Sequence, residues 1–197
     1  MGKGEQTREH ILERAAVLFN RQGFAGASMA DVMEATGLRK GGIYRHFESK
    51  ERLALEAFDH AVGLVRARFV AALDGKRNAV DRLRAIVGVF REYVIDPPIP
   101  GGCPVMNTAI ENDDGNPELR ARALAVMEEW RAMVCRTVEK GVERGELRST
   151  TDAEETASVV ISLLEGAIMM SKLYHDPVHL QRAVEHLDRH LEAAARA

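Results

Sequence analysis

Cysteine, proline and aromatic residues are all scarce in this chain of 197 residues, which holds two Cys, six Pro and only 5% Phe, Trp and Tyr together. Two cysteines, Cys103 and Cys135, are too few for a disulfide framework, and they lack any paired metal-ligand spacing. They suit a reducing compartment, although a single bridge is not excluded. Long apolar runs are missing as well: no stretch approaches the roughly 18 uninterrupted apolar residues of a membrane helix. The segment from Met1 to Gln6 is short and polar, with no apolar core of signal-peptide type. The expected location is the cytoplasm, with no membrane partner. With 46% hydrophobic and 29% charged residues, the composition is that of a globular chain, not of a disordered or collagen-like one.

Basic excess is also lacking. Lys and Arg total 27 against 30 Asp and Glu, a formal net charge of −3, which taken alone argues against a general nucleic-acid binder. The average hides a division. Residues 1–52 carry nine basic against seven acidic side chains, and residues 53–197 carry 18 against 23. Within the first part, Arg39, Lys40, Arg45, Lys50 and Arg52 outnumber Glu48 and Glu51 over residues 39–52.

No catalytic constellation emerges. There is no glycine loop followed by Lys-Ser or Lys-Thr, no Gly-x-Ser-x-Gly elbow and no His-Glu-x-x-His. Asp113 and Asp114 sit in a turn, where solvated carboxylates are ordinary. Neither an enzyme nor a cofactor is expected. His186 and His190 lie four apart, with His179 one turn further round, a spacing that permits a metal. They flank the stripe Leu180, Val184, Leu187 and Leu191, so an edge of a packed interface is expected there and no metal site.

What the chain does have is helical apolar spacing almost throughout. Ile11, Leu12, Ala15, Ala16 and Phe19 form one stripe, with Arg8, Glu13, Arg14 and Asn20 largely elsewhere. Ser28, three residues before Asp31, is a good N-cap for a short second helix ending near Thr36-Gly37. A third runs from about Lys40 to His46, and Ser49 can cap a longer one from about Lys50 to Leu73. A helix over roughly 78–95 stops at the proline-rich segment 96–104. A short helix over 105–111 follows. Asn116 with Pro117 begins the next, which reaches to about 144–145. Thr151 with Glu154, or Asp152 with Glu155, starts another that ends near Tyr174. The last spans about 177–195. The expected fold is all-α with about nine helices.

The first three helices have the lengths of a tri-helical helix-turn-helix unit, with Gly37 in the tight link. Placed in a major groove, the third helix would enter by Arg39, Lys40, Gly41 and Gly42. Two consecutive glycines cost a helix on the order of 1 kcal/mol each relative to alanine, so close approach of the backbone to a phosphate or base edge would compensate. Tyr44, Arg45 and His46 add a phenol, a cation and an imidazole able to hydrogen-bond phosphate oxygens. Read one at a time, Ile43, Tyr44 and Phe47 serve equally well as core.

The segments ILERAAVLFNRQGF (11–24) and SMADVMEATGLRKGGIYRHFESKERL (28–53) resemble the tetracycline-repressor (TetR) family of bacterial transcriptional regulators. The resemblance implies a DNA-binding domain over 1–52 and a ligand-binding and dimerisation domain over 53–197. It also implies that Lys40, Tyr44 and His46 contact DNA and that Lys50 binds phosphate beside them, with Ser28 at the start of the second helix. Three positions depart from the family pattern. Ala27 stands where threonine is common, Arg39 replaces a common serine, and Gly42 occupies a position often filled by Thr, Ser or Ala. The operator sequence is therefore not legible.

The resemblance also implies a small-molecule effector bound within 78–174. Candidate ligand residues are Phe90, Tyr93, Met106, Asn107, Trp130, Met133, Met170 and Tyr174, although aromatic and methionine stripes are usually core. Asn107 either faces that pocket or caps a neighbouring helix. A redox role for Cys103 would need nearby cations, and none is close in sequence. Val160, Ile161, Leu164 and Ile168, with Leu180, Val184, Leu187 and Leu191, offer apolar faces for a four-helix bundle with a second copy. A two-fold homodimer would present two recognition helices to a palindromic double-stranded operator. The expected function is a DNA-binding regulator, a ligand-released repressor. A helical ligand carrier or interaction protein with a vestigial DNA-binding unit is the alternative.

Overall fold

The computed structural model describes residues 2–91 and 93–195. Among them are nine helices: α1 Lys3–Gln22, α2 Met29–Thr36, α3 Lys40–Tyr44, α4 Lys50–Leu73, α5 Ala79–Arg91, α6 Pro104–Asn112, α7 Pro117–Glu143, α8 Ala153–Tyr174 and α9 Val178–Ala194. No strand is present among the described residues, only one isolated bridge between Leu147 and Ala195.

The helix boundaries follow the capping chemistry. Ser28 Oγ accepts the Asp31 N–H at 3.2 Å while Asp31 Oδ2 accepts the Ser28 N–H at 2.7 Å, a closed capping box. Gly37 ends α2 in the left-handed region at φ 68°. Ser49 Oγ accepts from Arg52 N–H, and Asn116 Oδ1 accepts from Glu118 and Leu119 N–H at the start of α7. Of the two pairs offered for α8, Asp152 with Glu155 makes the cap, at 2.8 Å. One boundary differs. α5 ends at Arg91, short of the expected 95, because the chain turns there and stacks buried Tyr93 on Phe90, ring centroids 5.5 Å apart.

Packing groups the chain into two compact units, residues 1–65 with 98–124 and residues 66–97 with 125–197; the division falls within α4 and within α7. In the first unit, Ile11, Leu12, Ala15 and Ala16 of α1 meet Val32, Ile43, Phe47, Leu53, Ala57 and Ile99 in one buried cluster. Removing the side chain of such a Leu or Ile costs about 2–5 kcal/mol. Asn20, expected off this face, is itself buried. Its Nδ2 donates to the carbonyls of Pro100 and Gly102, both at 3.0 Å, so a polar residue belongs there once the loop covers it.

In the second unit α9 packs against both α5 and α8. Phe69, Phe90, Tyr93 and Trp130 form a ring cluster with centroid separations of 5.5 to 6.1 Å. α8 is the one described helix long and apolar enough to cross a membrane by length and composition, and 44% of its most apolar window is buried within the chain. Thr156, Ala157, Val160, Leu164, Ala167, Ile168 and Ser171 supply that buried side.

Candidate nucleic-acid interface

Helix α3 is only five residues long, and its orientation is set by what it buries. Ile43 is completely inaccessible and Phe47, just beyond it, is buried, both in the cluster with α1. The Arg8 guanidinium lies 4.9 Å from the centre of the Phe47 ring and is ion-paired with Glu56, fixing that side further. Helical periodicity then turns the neighbouring side chains outward. Arg39, Lys40, Gly41, Tyr44 and Arg45 are exposed, and Gly42 and His46 half-exposed. The three-way ambiguity among Ile43, Tyr44 and Phe47 is resolved in this way: two are core, and Tyr44 is surface.

The outward face is coherent in charge. Residues 39–47 contain no acidic side chain. Lys40 Nζ sits 5.6 Å from the centre of the Tyr44 ring, which holds the ammonium beside the phenol rather than against a carboxylate. Arg39 stands at the N-cap of α3 in extended geometry without a side-chain cap, as the missing serine implied. A Cβ built on Gly41 would meet nothing within 4 Å, and one on Gly42 only Leu38 Cβ at 3.7 Å, an ordinary contact. Neither glycine has a positive φ. Steric crowding within the described residues therefore does not account for the glycine pair.

Lys50 and Ser28, the other expected DNA contacts, are each engaged within the fold. Lys50 Nζ donates to the Phe24 carbonyl at 2.5 Å and lies 4.3 Å from the centre of the Phe24 ring. An ammonium has three N–H donors, so two remain for phosphate. Ser28 Oγ donates to Asp31 Oδ2 at 2.7 Å. That hydrogen bond, with the Ser28 N–H, holds the Asp31 carboxyl below its ordinary pKa.

A surface of this kind neutralises phosphates with Arg and Lys, hydrogen-bonds them with Tyr and His, and lets backbone approach a base edge closely. Residues 11–57 match the family model for bacterial regulatory proteins of the TetR family, and residues 79–187 match the tetracyclin repressor-like C-terminal domain. The fold matches the crystal structure of a TetR transcriptional regulator from Chloroflexus aurantiacus J-10-FL, with 48% identity, TM-score 0.96, and coverage of 100% of this chain and 99% of that one. The chain belongs to the TetR family.

This TetR-family chain is a DNA-binding transcriptional regulator. It is similar to the HTH-type transcriptional repressor DhaR of Mycobacterium sp. (strain GP1), 24% identical over 84% of this chain and 82% of that one. It is also similar to a cysteine-substituted form of the TetR-family regulator CifR, solved in complex with a 26-base-pair operator duplex, with 28% identity, TM-score 0.77, and coverage of 92% and 94%.

The other expected sites fare differently. The expected ligand residues lie in different settings. Phe90, Tyr93 and Trp130 are buried against one another, Met133 lines a separate charged cleft, and Met170 and Tyr174 are 39% and 63% exposed on α8. Met106 is half-buried on α6. Asn107 caps a neighbouring helix: its Nδ2 donates to the carbonyl of Asn20 in the last turn of α1 at 3.1 Å and to Gly101 at 3.0 Å. Cys103 is fully buried at the N-cap of α6.

The expected dimer residues lie mostly inside the chain. Val160, Leu164, Ile168, Leu180, Val184, Leu187 and Leu191 are all buried within this chain's own core, and Ile161 is half-buried. A side chain already enclosed by α5, α8 and α9 is not available to a second copy. The apolar surface left over lies on the other side of α8, where Val159, Leu163, Gly166 and Met170 with Ala183 of α9 line an open groove of about 580 Å³. His179 and His186 stand on this groove while His190 lines another cleft, and no metal-binding group occurs among the described residues.

Sequence reasoning missed Glu111. Its carboxylate accepts the backbone N–H groups of Phe24 and Ala25 in the α1–α2 turn. The available signal was its four-residue spacing from Asn107 on a short helix, together with Gly23 in the facing turn.

Proposed function

We propose that the chain acts as a homodimer on a palindromic operator in the cytoplasm and that it is a repressor released by a small ligand. Residues 1–52 read DNA, and residues 53–197 bind ligand and the second copy. The observation that carries the DNA-reading assignment is the acid-free outer face of α3, with a glycine pair that steric crowding does not account for. Lys40, Tyr44, His46 and Lys50 position the unit on phosphates, and residues 39–45 face the base edges. Ser28, whose N–H and O–H both donate to Asp31, contributes by closing the cap of α2.

Dimerisation is supported by the apolar groove on α8 and α9, since an exposed apolar surface of this kind marks an interaction site. Two copies joined there would carry two recognition helices, which a palindromic operator requires about 34–36 Å apart or a multiple of that. Ligand release follows from linkage: a ligand that favours a wrongly spaced arrangement weakens DNA binding by the coupling factor with which DNA weakens ligand binding. An effector that enters between Phe69, Phe90, Tyr93 and Trp130 would part rings that pack against one another at 5.5 to 6.1 Å.

The test is a thermal-shift screen of apolar and aromatic compounds followed by operator titration. A compound that raises Tm is expected to weaken operator affinity. Stabilising compounds that all leave operator affinity unchanged would contradict ligand release.

A further inference from the structure

Six basic side chains converge on one cleft of the second unit. Lys76 and Arg77 come from the turn before α5, Arg82 from its first turns, Arg136 and Lys140 from one face of α7, and Arg144 from just past its end. The cleft encloses about 430 Å³, within the range of small-molecule sites, and no carboxylate lines it. Ala79, Met133 and Thr137 complete the lining.

The concentration runs against the composition, because residues 53–197 carry a net negative charge. Arg66, Arg68, Arg84, Arg91 and Arg131 each hold a carboxylate. None of the six cleft residues has an ion pair among the described residues. Unpaired like charges facing one another repel, and a fold that merely needed solvated cations would separate them.

The cleft is also built, not just a surface scatter. Arg82 donates to the Lys76 carbonyl at 3.1 Å and Arg144 to the Arg77 carbonyl at 3.3 Å, so two of the arginines pin the turn that carries two more cations. α7 approaches α5 closely because residue 141 is glycine: a Cβ there would lie 2.5 Å from that of Ala79. Glu146 is turned to the Ala79 N–H at 2.6 Å and is not part of the lining.

We propose that this cleft binds a small molecule carrying two or more phosphate groups. Arginine guanidinium groups offer paired N–H donors to phosphate oxygens, and the two lysines supply point charges. The Met133 and Ala79 surface suits an apolar portion of the same ligand. The site is independent of the α3 surface assigned to DNA.

Isothermal titration of the full-length protein with sodium tripolyphosphate at low salt tests it. Saturable binding with one anion per chain is expected, and Arg136→Gln with Lys140→Gln should weaken it about tenfold or more. Both side chains are exposed, and neither makes a side-chain hydrogen bond among the described residues, so the variant should keep the wild-type Tm without anion. A Lys40→Gln, Arg45→Gln variant should bind tripolyphosphate as the wild type does. Absence of saturable binding overturns the proposal, as does unchanged binding in the cleft variant or loss in the α3 variant. Binding of sulfate as tight as tripolyphosphate at equal ionic strength overturns the multiple-phosphate assignment.

Discussion

Glu111 of α6 accepts the backbone N–H of Phe24 through Oε2 at 2.8 Å, and its other oxygen takes the Ala25 N–H at the same distance. The contact exists because residue 23 is glycine. Gly23 sits at φ 80°, and a Cβ there would lie 2.7 Å from Glu111 Oε1. Together with Asn107 on Asn20, it ties both the last turn of α1 and the turn that follows to α6. The start of the helix-turn-helix is thus held by a segment more than 80 residues away in sequence.

Glu111→Ala should loosen this turn. Leaving the half-buried Phe24 N–H without an acceptor costs about 1–3 kcal/mol while the exposed Ala25 N–H turns to water, so a lower Tm and weaker operator binding are expected together. Differential scanning calorimetry and fluorescence anisotropy check the two effects. Wild-type values in both would show that the clamp is idle.

The glycine pair of α3 makes a prediction with opposite signs. Gly41→Ala and Gly42→Ala meet no obstacle inside the chain, so each should stabilise the fold by up to about 1 kcal/mol. Each should also weaken operator affinity, because the new methyl stands on the surface that approaches DNA. Higher Tm with unchanged affinity would remove the argument that backbone approach explains the pair.

Asp31 reports on the α2 cap through its titration. The Ser28 hydroxyl, then the Ser28 N–H, hold its carboxyl below the ordinary value. A depressed carboxyl contributes stability that is present above its unfolded pKa and lost as pH falls through the folded one. Loosening of α2 is therefore expected only below about pH 4. In Ser28→Ala the Asp31 carboxyl should titrate higher, nearer its ordinary value, by carbon-detected NMR. An unmoved titration would contradict the box.

Two adjacent leucines separate the core face of α8 from its groove. Leu163→Glu should yield a folded monomer by analytical ultracentrifugation, because Leu163 lines the groove. Leu164 is 1% exposed, and Leu164→Ala should instead cost about 2–5 kcal/mol of stability. A Leu163→Glu protein that remains dimeric would place the interface elsewhere.

The helices and caps were legible in the sequence because Ser28, Ser49, Asn116 and Asp152 act on neighbours three or fewer residues away. The outer face of α3 was only partly legible: Lys40 and Tyr44 sit four apart, but Ile43, Tyr44 and Phe47 each read equally well as core until Ile43 and Phe47 are seen to bury together. What failed was anything decided between distant segments. The apolar side of α8 facing α9 and the side left open carry similar residues, Val160 and Leu164 against Val159 and Leu163. Periodicity finds stripes but does not say which stripe the chain keeps for itself. Asn20 likewise reads as polar surface until the loop at 100–102 closes over it.

The central claim is that the outer face of α3 reads DNA. In vitro selection from a random-sequence duplex pool, followed by anisotropy on the enriched sequence, tests it most directly. A palindromic site is expected, bound by two chains with an affinity that falls steeply with salt. Lys40→Ala with Tyr44→Ala should weaken that binding by about two orders of magnitude or more, at unchanged Tm, through loss of base and phosphate contacts. No enriched sequence at low salt, or wild-type affinity in the double variant, would contradict the assignment.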